Sequence, residues 1–317
     1  MNRDLVKFVV LAVIAVVAPL ALSGSYLMSV LVFVGIHAML AIALNLLLGF
    51  AGQISLGHAG FFGLGAYASG ILSATYGVNP WLAMVITALS VALLAFIVGF
   101  PVLKLKGHYL AMATLGLGII FYIVFNEAVD LTGGPSGFSG IPPLKIGSFA
   151  FDGDIKNYGL IWAFTMGTVL LSLNLANSRI GRALCAIHDS EVAARVMGVN
   201  VRLLKVQIFA LSAFISSIAG SLYAHTMGFV SPTSFGFNFS VELVTMVVVG
   251  GLGTVYGSLI GAAILTLLPE LLRAFQDYDI VIYGLVLILM TMFMPGGLVR
   301  GIPALFARLL PTRRQEG

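Results

Sequence analysis

Charge is what this sequence has least of. Asp, Glu, Lys and Arg make up 9% of its 317 residues, apolar residues 60%, and the mean hydropathy is +1.08. A soluble domain carries about 25% charged residues. The chain therefore lacks the polar side chains needed to cover a water-facing surface, and a soluble globular protein is excluded. The net charge of +4 gives no ground for a nucleic-acid partner. Its meaning lies in where the positive residues fall.

Cysteine is almost absent. Cys185 stands alone, which excludes an intramolecular disulfide and a cysteine metal cluster, and it reads as a small buried residue. Metal-binding spacings such as H-E-x-x-H do not occur, so no metal site is expected. No G-x-x-x-x-G-K-[ST] loop occurs, so the chain does not itself hold ATP in that manner. Gly134-Pro135-Ser136-Gly137 has the outline of an intramembrane serine nucleophile, but it sits among prolines and glycines, where a turn is the physical reading. No catalytic residue is assigned.

Long apolar runs are what remains. They cover roughly 6–22, 27–49, 54–76, 81–103, 109–129, 158–177, 206–228, 237–272 and 280–298, near the ~20 residues that cross a hydrocarbon core as helix. The fold class is therefore all-α, a polytopic transmembrane helical bundle forming a single domain over 1–317. The run 237–272 is too long for one crossing, and GGLGTVYGS, from Gly250 to Ser258, divides it. The N-terminus has a basic start, an apolar run from Phe8 to Leu22 and small residues near Ser23. That pattern fits a retained first span or a cleaved leader.

Topology follows from the cations. Lys104, Lys106, the cluster Arg179 to Lys205, the N-terminal Arg3 and Lys7, and the tail residues Arg300, Arg308, Arg313 and Arg314 all belong on the cytoplasmic side. About ten crossings satisfy all four assignments and nine do not. Both termini are then cytoplasmic, and the loops 130–157, 229–236 and 273–279 are external. Parity supports this count in the uncleaved chain and is compatible with a cleaved one. The Gly-, Pro- and Ser-rich loop 130–157 reads as an external cap. GFAG at 49–52 and GGLG at 250–253 echo each other faintly, as internal repeats of transporters do.

Ionisable residues within the spans are few. His37 and His58 lie inside, and His225, Glu242 and Glu127 fall toward outer ends. The histidines read as hydrogen-bonded neutral imidazoles. The lack of an acid at mid-depth weakens an ion-coupled carrier, although unwound backbone carbonyls can hold sodium. In GQISLGHAGFFGLGAYASG, Gly52 to Gly70, small residues at three- and four-residue spacing suit close helix packing. Gln53, Ser55, Gly57 and His58 there are candidates for lining a path.

The most polar long stretch is SRIGRALCAIHDSEVAARVMGVN, Ser178 to Asn200, within the cytoplasmic loop 178–205. Asp189 or Ser190 can cap a short helix, Glu191 suits its first turn, and Gly198 suits the position past its end. Val192, Val196 and Met197 share one face. About 8 residues of helix, about 12 Å long, cannot span a membrane but fit a partner's groove.

Glu191-x-Ala193-Ala194-x-x-x-Gly198 resembles the E-A-A-x-x-x-G loop of bacterial ATP-binding-cassette importer permeases, with Val192 in place of the first alanine. With NLLLGFAGQISLGHAGFFGLGAYAS, GHYLAMATLGLG, TGGPSG, GGLGTVYGSLIGA and FMPGGLVRG, the chain is similar to branched-chain amino acid permeases, most of all the M-type subunit. That resemblance implies a multi-pass subunit in the bacterial inner membrane. It implies pairing with an H-type permease, two ATPase subunits that bind the ATP, and a periplasmic substrate-binding protein, with no cofactor on this chain. It makes the polar stretch a coupling helix, with Arg179, Gly181, Arg182, Asp189, Glu191, Ala193, Ala194 and Gly198 as the ATPase-docking unit. Relatives with these motifs carry urea or short amides, which stays open beside Leu, Ile and Val.

Overall fold

The computed structural model describes residues 3–21, 25–147 and 149–272, with a few positions between 284 and 298. The remainder of the expected span 280–298, the loop 273–279 and the basic tail from Arg300 lie outside the described residues. The chain is helical almost throughout, as hydrocarbon demands, because helices satisfy every backbone polar group internally. In order these are α1 (Arg3–Ala21), α2 (Ser25–Asn45), α3 (His58–Ala74), α4 (Pro80–Val102), α5 (His108–Glu127), α6 (Val129–Thr132), α7 (Asp154–Asn177), α8 (Arg179–Asp189), α9 (Glu191–Val196), α10 (Val201–Met227), α11 (Phe237–Gly250) and α12 (Val255–Leu272).

Among the described residues, six helices are long and apolar enough to cross a membrane: α2 with its extension to Phe50, α4, α5, α7, α10 and α12. Two shorter apolar helical stretches, Val6–Val17 and Phe237–Gly250, accompany them. The chain is thus a multi-pass membrane protein. The run 237–272 divides at Gly251–Thr254, as its glycines suggest. The run 54–76 is not all helix. Ala51 to Gly57 is irregular, and α3 begins only at His58.

Two segments expected on one side of the membrane meet at one end of the bundle. β1 (Phe138–Ser139), from the loop after α5, pairs antiparallel with β4 (Phe229–Val230), from the loop after α10. A hairpin of β2 (Lys145–Ile146) and β3 (Phe149–Ala150) completes this cap. Gly134–Ser136 is a short 3-10 turn within it, not a helix start in the membrane. His225 pins the cap to the bundle, with Nδ1 2.7 Å from the Pro142 carbonyl and Nε2 2.9 Å from Ser69 Oγ on α3. At the other end lie α8 and α9.

The centre of the bundle is α10 against α3. Small residues let the two backbones touch: Ser221 Oγ donates to the Gly65 carbonyl at 3.1 Å, and a Cβ on Gly65 would run into the Ser217 backbone. Gly220 is held in the same way by Phe62 and Ala66. The reading of GQISLGHAGFFGLGAYASG as a close-packing stretch is correct for its helical part.

The two helix breaks also meet. α2 runs through a π-helical turn, Leu46–Phe50, and Asn45 at its start reaches across to the α11–α12 break. Its Nδ2 donates to the Thr254 carbonyl at 2.9 Å, and its Oδ1 accepts from the Gly253 amide at 3.0 Å. The GFAG and GGLG echoes are therefore spatial neighbours, with Gly49 against Gly253.

The packing yields a contrast. Gly65→Val forces α3 off α10 and costs at least the 1–3 kcal/mol typical of overpacking. Gly116→Val on α5 has nothing within 4 Å of the added Cβ and leaves stability within about 0.5 kcal/mol. Thermal denaturation of the two variants in detergent measures the difference. Equal melting temperatures would contradict the seam.

Candidate functional site: the α8–α9 hairpin

The polar stretch folds as two helices rather than one. Ser178 caps α8, its Oγ accepting from the Ile180 and Gly181 amides at 3.1 and 3.2 Å. α8 is strongly amphipathic: Gly181, Leu184 and Ile187 are buried, while Arg179, Ile180, Arg182, Cys185 and Asp189 face out. Cys185 is thus exposed, not buried as its chemistry suggests, because it lies off the buried Gly181–Leu184–Ile187 face.

Ser190, not Asp189, caps the second helix, accepting from the Ala193 amide at 3.3 Å. α9 has six residues, Glu191–Val196, shorter than the expected eight. Gly198 follows in the left-handed region at φ +84°, the conformation that ends a helix most readily with glycine. Asn200 then caps α10 by accepting from the Leu203 amide at 3.2 Å.

The candidate residues separate by position. Ala194 is 2% exposed and packs with Ile187 and Val201. Gly181 is buried where a Cβ would strike the Leu175 and Ala176 carbonyls. Both shape the hairpin from beneath. Arg179, Arg182, Asp189, Ala193 and Gly198 are at the surface. Beside them α9 exposes an apolar face: Val192 at 68%, Val196 at 82% and Met197 at 83%. Among the described residues, none covers these three side chains.

Glu191 does something the sequence did not signal. Its carboxylate pairs with Lys205 Nζ at the start of α10 and lies 3.6 Å from Lys106 Nζ, in the loop between α4 and α5. Lys205 is 2% exposed. Burial works against ionisation of Glu191, but the Lys205 and Lys106 ammonium groups outweigh it and hold the carboxyl below its ordinary range. One carboxylate thereby ties α9, α10 and the α4–α5 loop together.

The four path candidates form a knot at the start of α3. Ser55 Oγ is 2.9 Å from His58 Nδ1, and His58 Nε2 is 2.6 Å from Ser212 Oγ on α10. Ser212 in turn donates to the Ala43 carbonyl on α2. Gly57 precedes α3 and abuts the Thr114 carbonyl on α5. Gln53 donates to the Ala51 carbonyl at 2.9 Å. All four are buried; His58 ties α3 to α10, while the Gln53 amide bonds only within its own segment. The serine partners on α10 were missed, since nothing in an apolar run marks which serine faces which histidine. The knot also reaches the hairpin: a Cβ on Gly52 would meet His188 of α8 at 2.9 Å.

Bundle, cap and hairpin together define a multi-pass α-helical membrane protein that presents a capped polar hairpin at one end. Residues 26–292 match the family described as branched-chain amino acid transport system / permease component, and the chain belongs to that family. It is therefore a transport component and not an enzyme. It is 33% identical over 287 residues to the high-affinity branched-chain amino acid transport system permease protein LivM of Escherichia coli K12, covering 83% of this chain and 68% of that one. The LivM of Salmonella typhimurium LT2 is 33% identical over 313 residues, 91% of this chain and 73% of the relative. The LivH permease of the same Salmonella strain is 26% identical over 282 residues, 83% and 91%. No solved structure matches the chain.

The ion pair generates a stability prediction. Glu191→Ala leaves Lys205 buried without a counter-charge and costs about 3 kcal/mol, and adding Lys205→Met restores most of it. Because folding favours the carboxylate, the pair's contribution is complete above the unfolded pKa of Glu191. It is lost as pH falls through the lower folded value. Melting curves of the single and double variants in detergent, from neutral to acid pH, test this. Additive losses in the double variant would contradict it.

Proposed function

We propose that this chain is the M-type permease subunit of an ATP-binding-cassette importer for Leu, Ile and Val in the bacterial inner membrane. It pairs with an H-type permease, and the two line one pathway. Two separate ATPase subunits supply ATP hydrolysis, so the chain needs no nucleotide or other cofactor of its own. A periplasmic binding protein delivers the amino acid to the β1–β4 end, where the loop 130–157 is the candidate docking surface. The α8–α9 end is cytoplasmic, in keeping with its excess of Arg and Lys, and so are both termini.

The observation that carries the reading is the α9 face: Val192, Val196 and Met197 are exposed together at a capped helix that the described residues leave uncovered. Apolar groups displayed at a polar membrane end suit burial in a partner's groove. Arg179, Arg182 and Asp189 surround that face, and Ala193 and Gly198 keep it slim. Glu191 passes its movement on to α10 through Lys205. α10 carries it to the His58–Ser212 contact and so to the head of α3, where Gln53, Ser55 and Gly57 hold the irregular segment beside the path.

Co-expression with the ATPases, the second permease and the binding protein, followed by reconstitution into liposomes, tests the reading. The complex takes up labelled leucine with ATP and does not take up urea. Gly198→Val strains the left-handed turn and lowers leucine uptake at least tenfold while the chain stays in the membrane. Val196→Asp reduces co-purification of the ATPase. Leucine uptake by this chain alone, driven by an ion gradient without ATP, would contradict the importer.

A further inference from the structure

α11 carries a face that does not suit lipid. Ser240, Leu243, Met246, Val247 and Gly250 are buried against its neighbours. On the opposite side Asn238 and Val241 are exposed, and Glu242 and Thr245 are partly so. The spacing 238, 241, 242 and 245 places these four on one stripe of the helix. Among the described residues, Asn238 and Glu242 make no hydrogen bond or ion pair. Thr245 Oγ1 donates to the Val241 carbonyl at 2.8 Å, which leaves its lone pairs outward.

α4 shows what a lipid-facing surface looks like in this chain. Apart from Ser90, its exposed residues, among them Leu82, Val85, Ile86, Leu89, Leu93 and Ile97, are apolar, and none is ionisable. A carboxylate placed among acyl chains is costly, and such residues turn to water or to an opposite charge instead. Glu242 lies five residues into α11 from Phe237, about 8 Å along the axis, inside the apolar run. Val241, 40% exposed, shares the stripe with Glu242, so an aliphatic side chain adjoins the carboxylate. A carboxylate beside an exposed aliphatic side chain is the complement of a free amino acid with a branched aliphatic side chain: charge for the ammonium, hydrocarbon for the rest.

We propose that the Asn238–Glu242–Thr245 face of α11 lines the translocation path and that the Glu242 carboxylate binds the α-ammonium group of the transported amino acid. The proposal rests on the importer reading above and names the group that meets the solute. Asn238 and Thr245 flank the carboxylate as neutral hydrogen-bonding groups, one near the cap end and one deeper.

The test uses the complete complex in liposomes. Glu242→Gln lowers ATP-driven leucine uptake at least tenfold with both partners still co-purifying, and Glu242→Asp retains more uptake than Glu242→Gln. In a Cys185→Ser background, Thr245→Cys reacts with a membrane-impermeant maleimide, whereas Leu93→Cys on the α4 lipid face does not. Uptake by Glu242→Gln within twofold of the unaltered complex overturns the proposal. So does a Thr245→Cys variant that stays unlabelled in every nucleotide state, or a Glu242→Gln variant that loses the second permease, which makes the stripe a subunit contact. Failure of the importer reading is distinguishable, because the unaltered complex then takes up no leucine whatever stands at position 242.

Discussion

Everything in this bundle leans on the approach of α3 to α10. The contact has little side chain in it: Gly65 against Ser217, and Gly220 against Phe62 and Ala66, backbone to backbone. Hydrocarbon supplies no hydrophobic drive for helices to associate, so close van der Waals packing and buried hydrogen bonds must do it. Histidines hold the two ends of the seam. His58 bonds Ser212 at one end, and His225 bonds Ser69 at the other. α4 packs on α10 and α2 on both α10 and α12, so the remaining helices take their places from this pair.

The seam also connects the two ends of the molecule. α10 begins at the hairpin, where buried Lys205 meets Glu191. It ends at the cap, where His225 touches the Pro142 carbonyl and Gly228 leads into β4. A displacement of α9 therefore acts on a rigid helix that holds α3 at two points. The irregular stretch from Ala51 to Gly57 and the break at Gly251–Thr254, joined by Asn45, are where the backbone departs from regular helix along that route. Such departures are tolerated at membrane depth only when buried in protein or facing water, and Asn45 meets that condition by pairing with both exposed backbone groups of the second break.

Much of this was legible in the sequence. Hydropathy located the spans because only helices and closed barrels satisfy their backbone in lipid. Glycine marked the division of 237–272. Counting cations placed the loops 130–157 and 229–236 together, and β1 pairs with β4. The hairpin's polarity, its serine cap and Gly198 were readable from local chemistry alone. What was not readable depends on tertiary partners. Nothing in the sequence paired Glu191 with Lys106 and Lys205, or His58 with Ser212, because those contacts join residues far apart in the chain. Cys185 was misread because the face of a helix depends on what lies beneath it. Glu242 stood out only as an acid near an outer end; its lack of a partner among the described residues is a property of the fold.

The account turns on α9 being the surface that meets the ATPase. A photo-crosslinking residue at position 196 in the assembled complex, within the most exposed apolar part of the hairpin, reports this contact directly. The account predicts an adduct with the ATPase subunit whose yield changes with nucleotide. Adducts to lipid alone, or none, in a complex that still contains the ATPase would contradict it.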